Sequence, residues 1–164
     1  MRIGHCIATV ATTTFLMAAV NAPRMTDCIF CAIADGELPS HTVYEDDAVL
    51  AFLDANPLVD GHTLVIPKSH HETTDDMPAS VGAELGRVVT TLAPAVEAAV
   101  DADASTIGVN NGPAAGQEID HIHAHIIPRH EGDGGQPIHG VVGTQTEADD
   151  EELERIADAI LGAR

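Results

Sequence analysis

Two periodicities alternate along this chain. Thr42 to Tyr44 and Ala48 to Leu53 are short β-branched and apolar runs on either side of a polar turn at Glu45-Asp46-Asp47, and Thr63 to Ile66 is a third run between Gly61 and Pro67. Apolar runs bounded by turn residues predict strands, and the short connections make these three a meander. From Ser80, with Glu84 in the following turn, the period changes. Val81, Leu85, Val88, Val89, Leu92 and Val96 recur at helical spacing and predict a helix to about Val100. Pro94 lies inside it and is expected to kink it or end its first part. Thr106 to Asn110 predicts a fourth strand, the glycine-rich Asn111 to Gln117 segment a loop, and Glu151 to Leu161 an acidic C-terminal helix. This order of elements indicates an α+β fold with a mainly antiparallel five-stranded sheet, one long helix and a C-terminal helix.

The fifth strand carries the most unusual pattern. In Asp120-His121-Ile122-His123-Ala124-His125-Ile126-Ile127-Pro128, imidazoles occupy every second position with apolar residues between them. In an extended chain His121, His123 and His125 share one face about 6–7 Å apart, and Ile122, Ala124 and Ile126 face the core. A helix would turn His123 away from the other two. The β-branched isoleucines favour the strand, and Pro128, which has no N–H to donate, is expected to mark its end. Polar rings are costly to cluster on a half-buried face, so the row points to chemistry rather than to packing.

Composition narrows the choice. A chain of 164 residues with a 45% hydrophobic fraction suits one core, and with only 2% aromatic residues and no Trp that core must be built from Val, Ile, Leu and Ala. Asp and Glu number 26 against 7 Lys and Arg, for a formal charge of −19, and Lys68 is the single lysine. Such a surface argues against nonspecific binding of nucleic acid or an anionic membrane. It reads as a solvated surface adapted to high salt, with a halophilic source as the best fit. Residues 1–24 differ from the rest: Arg2, an apolar stretch from Cys6 through Val20 and small residues near Ala22 resemble a weak secretory signal. Met25, just before the globular pattern begins, favours a start assigned too early and a cytoplasmic protein, with export as the alternative. Cys6 has no role in this reading.

Cys28-Ile29-Phe30-Cys31 is the second constellation. A C-x-x-C pair is half of a metal site, a redox dithiol or a disulfide, and the spacing alone does not choose among them. A structural zinc would need two more ligands, which His70 and His121 could supply.

Taken together, Cys28-Ile-Phe-Cys31, Val43-Tyr44-Glu45-Asp46, Ala51-Phe52-Leu53-Asp54, Gly61-His62-Thr63-Leu64-Val65-Ile66-Pro67-Lys68, Asn110-Asn111-Gly112-Pro113-Ala114-Ala115-Gly116-Gln117 and His121-x-His123-x-His125-Ile-Ile-Pro128-Arg129 resemble the histidine triad (HIT) family, its prokaryotic Hint-like branch in particular. The resemblance spans about residues 25–135, leaving 136–164 as an acidic tail with a helix. It implies a homodimer in which two half-sheets join into one, and a hydrolase or transferase acting on purine nucleoside phosphoramidates or related nucleotidyl substrates.

Carried over by position, His123 matches the nucleophile that attacks the α-phosphorus and becomes nucleotidylated. A neutral imidazole is competent for this near pH 7, provided that its other nitrogen finds an acceptor, which the family supplies as a backbone carbonyl. The resemblance places His125 near the phosphate oxygens and His121 beside the nucleophile, and gives His62 an orienting role. Asp54 matches the carboxylate that accepts from the ribose hydroxyls. Asn110, Gly116 and Gln117 match the phosphate-side loop, and Ile29, Phe30, Phe52 and Leu53 are candidates for an apolar slot under the base. Cys28, Cys31, His70 and His121 match the structural zinc ligands of several members. No catalytic cofactor is implied. His41, His130 and His139 default to surface loops, and Arg129 is a candidate phosphate or C-terminal contact.

Two positions depart from the pattern. Glu118 stands where the family usually has a small hydroxyl residue, and an ionised carboxylate there would repel phosphate, bind a cation or select a cationic leaving group. Asp120, directly before the triad, is also unusual. Two other classes compete with the enzyme reading: a binding module that has lost turnover, and a small cupin-like metalloenzyme whose three histidines hold a catalytic ion.

Overall fold

In a computed structural model the described residues are 28–143 and 147–163. The expectations for residues 1–24, including Cys6, lie outside them.

The order of elements is α1 (Ile29–Ala34), β1 (Thr42–Glu45), β2 (Val49–Leu53), β3 (Thr63–Pro67), α2 (Ala79–Ala99), β4 (Ala104–Val109), β5 (Ala124–Arg129) and α3 (Asp150–Gly162), with single 3₁₀ turns at Pro113–Ala115 and Ile138–Gly140. The five strands form one antiparallel sheet in the order β1-β2-β3-β5-β4. The expected α+β architecture is the one observed.

Strand alternation divides the core in two. Val49, Ala51, Val65, Ala124 and Ile126 point to one side, where they meet Leu85, Val88, Val89, Ala93 and Val96 of α2. Leu50, Phe52, Leu64 and Ile66 point to the other, where Phe30 of α1 covers them. Both faces of the central strands are therefore buried, which is why β2 and β3 read as near-continuous apolar runs. Each fully buried aliphatic side chain contributes about 1.5–3 kcal/mol. Asp46 ties the β1–β2 turn to α2: its carboxylate accepts from the Ala48 and Val49 N–H groups, the Tyr44 hydroxyl and Arg87.

Three elements differ from the expectation. First, α2 runs through Pro94 without a break. Pro94 and Thr90, whose carbonyl loses its helical partner, are both exposed, so water can satisfy the freed group. Second, β5 begins at Ala124 and continues past Pro128 to Arg129. The Arg129 carbonyl faces β4, where it accepts from Asp103 N–H at 3.0 Å, so Pro128 faces the β3 side. Pairing with β3 has already ended there at Thr63–Ile126, and a missing N–H costs no ladder bond. Third, α1 is a single six-residue helix where no element was expected.

The histidine run is therefore only partly strand. Ala124 to Arg129 alternates between buried and half-buried positions, whereas His121, Ile122 and His123 are all buried. The Ile122 N–H bonds to the His71 carbonyl at 2.6 Å rather than to β3. Leaving the ladder frees the His121 ring from the alternation of its neighbours.

Candidate active site and thiolate–imidazole site

A cavity of about 670 Å³ opens on the α1 side of the sheet. Its apolar wall is Ile29, Phe30 and Ile33 from α1, Phe52 and Leu53 from β2, and Leu64 from β3, and its polar wall is Asp54, His62, Asn110, Gly116, Glu118, His123 and His125. The size and the mix of a mostly apolar lining with a few convergent polar groups suit a small organic ligand. His41, expected as a plain surface residue, also lines it, as do Ser40 and Asn56. The four apolar slot candidates are all present in the wall. Phe30 and Phe52 meet edge to face with centroids 5.7 Å apart, and Phe30 meets the His123 ring at 5.2 Å.

His123 has its tautomer fixed by the chain itself. Its Nδ1 lies 2.7 Å from the His121 carbonyl oxygen, so Nδ1–H donates and Nε2 is left with a lone pair. The His125 ring, centroid to centroid 4.9 Å away, is the next polar group on the cavity wall. Its Nδ1 lies 2.9 Å from Nε2 of His62, and its own Nε2 is buried without a partner. His62 Nδ1 in turn lies 3.3 Å from Asp54 Oδ2 and 3.3 Å from the Leu58 backbone N–H. Gly61 at φ +81° positions His62 at the start of β3, and a Cβ there would lie 2.9 Å from Val100. Burial lowers the pKa of His125 to about 4, with the neighbouring His123 and His62 rings adding to the effect. Burial likewise pushes His62 below the ordinary histidine value, partly opposed by Asp54. At neutral pH both rings are uncharged.

The loop between β4 and β5 forms the cavity's far rim. Gly112 and Gly116 have φ of +90° and +89°, backbone that a side chain would strain. Asn110 Nδ2 donates to the Gly116 carbonyl at 3.4 Å. Gln117, matched to the ligand-binding loop, turns inward instead. Its Oε1 accepts from Gly112 N–H at 2.7 Å and its Nε2 donates to the Glu72 and Ile119 carbonyls, so it holds the loop's shape and does not line the cavity. Glu118 is exposed at the rim, and Asp120 is exposed outside it.

The His121 side chain belongs to a second cluster. Its Nδ1 is 3.4 Å from Cys28 Sγ and 3.6 Å from Cys31 Sγ, and Cys31 Sγ is 3.3 Å from His70 Nδ1. The four donor atoms all lie within 4.8 Å of one another. Metal–sulfur bonds of about 2.3 Å and metal–nitrogen bonds of about 2.0 Å in a tetrahedron put S and N about 3.5 Å apart, so the donors fit a zinc ion. Nε2 of His121 lies 2.9 Å from the Pro67 carbonyl, which makes it the protonated nitrogen and turns the Nδ1 lone pair to the thiols. Protein atoms alone do not stabilise a thiolate here: burial, then the adjacent Cys28, push the Cys31 thiol up to about 11. Both cysteines are free thiols rather than a disulfide. Among the described residues no other such donor group occurs, so His121, His123 and His125 do not converge on a common ion as a cupin-like site requires.

The antiparallel sheet, the imidazoles on a largely apolar cavity and the separate four-donor cluster give an arrangement in which a histidine could act on a small molecule as nucleophile or proton carrier. Residues 35–132 match the HIT domain, and the chain belongs to the HIT family. It is 49% identical over 107 residues to an adenylylsulfatase of Arabidopsis thaliana, covering 65% of this chain and 54% of that protein. Among solved structures it resembles a Streptococcus mutans protein at 35% identity and a TM-score of 0.78, over 94% of this chain and 99% of that one. A zinc-bound histidine triad family protein of Mycobacterium smegmatis matches at 36% identity and a TM-score of 0.64, over 84% of this chain and 96% of that one. Among the described residues no helix is long and apolar enough to cross a membrane.

Proposed function

We propose that this chain is a purine nucleotide-binding hydrolase or transferase that acts on nucleoside 5′-phosphoramidates, or related nucleotidyl substrates, through a covalent intermediate on His123. The observation that carries the reading is the 2.7 Å contact between His123 Nδ1 and the His121 carbonyl, which leaves the Nε2 lone pair as the nucleophile on a largely apolar cavity of nucleotide size. The name of the Arabidopsis relative, an adenylylsulfatase, supports a substrate whose adenylyl phosphorus carries a leaving group.

In the first half-reaction the Nε2 lone pair of His123 attacks the α-phosphorus. The P–N bond breaks, and the amine leaves with the bonding pair and takes one proton from water in the cavity. In the second, water attacks the same phosphorus and gives up one proton to solvent, the P–Nε2 bond pair returns to the ring, and the nucleoside monophosphate leaves. His125 stabilises charge on the phosphate oxygens, His62 orients His125, and His121 orients the nucleophile through its carbonyl. Asp54 accepts from the ribose diol; Asn110, Gly116 and the loop that Gln117 shapes meet the phosphate, and the base lies between α1 and β2.

Cys28, Cys31, His70 and His121 would hold a structural zinc, which would pin α1 to the histidine segment and leave the chemistry to the imidazoles. The protein works as a homodimer, with the sheet continued between copies. The exposed Ile107 and Val109 on β4, an edge strand with open backbone groups, support that arrangement. We place it in the cytoplasm of an organism living at high salt.

Single-turnover mass spectrometry with an adenosine phosphoramidate tests the reading. An adenylylated peptide containing His123 is expected, and it should vanish in His123→Ala. Turnover without an adduct under rapid quench would exclude the covalent route, and tight binding without turnover would leave a nucleotide-binding module.

A further inference from the structure

Nδ1 of His62 is claimed by two groups that cannot both be satisfied. The Leu58 N–H lies 3.3 Å away and needs a lone pair there. Asp54 Oδ2, also 3.3 Å away, needs a proton there. A ring nitrogen has one in-plane position and offers one or the other.

The choice propagates through the 2.9 Å contact between His62 Nε2 and His125 Nδ1. If the His62 proton sits on Nδ1, facing Asp54, then Nε2 accepts from His125 Nδ1–H, and His125 Nε2 keeps a lone pair. If Nδ1 accepts from Leu58, the His62 proton sits on Nε2 and is donated to His125 Nδ1, and His125 Nε2 becomes an N–H. Only the second arrangement offers phosphate a donor. His125 Nε2 is buried with no partner of its own, on a ring that lines the cavity, so which form it takes decides whether an anion is welcomed there. Both rings are held neutral by burial, so the alternatives are tautomers rather than charge states. The titratable groups facing the pair are Asp54 and the His123 ring.

We propose that a ribose diol sets this choice: by engaging Asp54 it withdraws the carboxylate from His62 and switches His125 Nε2 from acceptor to donor. The inference rests on the nucleotide reading above and adds to it a link between the sugar and the reacting end. Asp54 Oδ1 already accepts from Asn56 N–H at 2.9 Å, so Oδ2 is the freer oxygen, and it is the one that faces His62. Hydrogen bonds from the diol lower the basicity of the carboxylate and its pull on the His62 proton. That proton leaves Nδ1 by way of Asp54 to solvent, the His125 Nδ1 proton passes to His62 Nε2, and His125 Nε2 takes a proton from water in the cavity. Net charge is unchanged. A phosphate arriving without a ribose meets a lone pair instead of a donor, so the site discriminates nucleotides from bare phosphate.

Long-range ¹H–¹⁵N imidazole spectra of the full chain at neutral pH read both tautomers. His125 should be Nδ1–H in the free protein and with 2′,3′-dideoxyadenosine monophosphate, and Nε2–H with AMP. Asp54→Asn, whose amide can donate to His62 Nδ1, should show Nε2–H without any ligand. A phosphoramidate of the dideoxynucleoside should lose about 100-fold in kcat, the scale of removing one transition-state donor. One unchanging His125 tautomer across free protein, AMP and the dideoxy ligand would overturn the proposal while leaving the nucleotide reading intact. If AMP moves no cavity resonance at all, both fall.

Discussion

The carbonyl oxygen of His121 lies 2.7 Å from Nδ1 of His123, while the side chain of the same residue turns the other way, to within 3.4 Å of Cys28 Sγ. One residue thus joins the four-donor cluster to the proposed nucleophile. Its backbone fixes the tautomer of one imidazole, and its ring, with Nε2–H held by Pro67, offers a lone pair to the thiols. A strand in strict alternation would have pointed His121 into the cavity with its neighbours. Because the chain leaves the β3 ladder before Ala124, the two duties can be separated.

Removing the nucleophile should remove both the intermediate and the reaction. His123→Ala is expected to lower kcat for an adenosine phosphoramidate by roughly 10⁴-fold or more, since a nucleophile and its partners act as a unit. Steady-state kinetics check this. A variant within tenfold of the parent would mean that water attacks directly.

Loss of a thiol ligand should act on stability first. In Cys31→Ser, zinc measured by elemental analysis should fall below about 0.2 per chain. Tm should drop by about 10 °C, as the loss of a few kcal/mol of metal-linked folding energy implies. The part that stays folded should keep the adduct on His123, because no step of the reaction passes through the metal. An adduct abolished in folded, zinc-free protein would return the metal to the chemistry.

The sheet was legible because its strands are short apolar and β-branched runs bounded by turn residues, and α2 because Leu85, Val88, Val89 and Val96 share one face. What was not legible depended on tertiary partners. Ile29–Ala34 is too short for a helical period to appear, and the stability of the segment comes from Phe30 packing on Phe52. The position of Gln117 in the motif suggested ligand contact, yet two backbone groups of its own loop and the distant Glu72 carbonyl take up its amide. The start of β5 could not be read either, since the histidine alternation continues past the point where pairing stops. His41 had no signal beyond its type, and it lines the cavity together with Pro39 and Ser40 of the segment before β1.

Acid should destabilise the fold through the buried imidazoles. His125 titrates near 4 in the folded protein and near the ordinary histidine value when unfolded, because burial disfavours its charged form. Between about pH 6.5 and pH 4 the unfolded chain binds more protons, so stability is full above this window and is lost as pH falls through it. His62 shifts in the same direction. Urea midpoints measured across the window should therefore fall with pH, and His125→Gln should show a shallower fall than the parent. An identical slope in the two would mean that His125 is not held neutral by the fold.

Glu118 offers the sharpest test of substrate choice, since it lines the cavity yet lies exposed at its rim, and among the described residues no cation pairs with it. Its carboxylate repels an approaching phosphate and attracts a leaving group that carries positive charge. At a partly solvated site such an interaction amounts to about 1 kcal/mol, several-fold in kcat/KM, and salt screens it. Glu118→Ser should therefore raise kcat/KM several-fold for a phosphoramidate with a neutral leaving amine and lower it for one whose leaving group bears a distant ammonium. The ratio between the two substrates should approach the parent's less and less as salt is lowered, because screening no longer masks the lost charge. A variant that changes both substrates by the same factor would show that Glu118 acts on the shape of the loop and not on the charge of the leaving group.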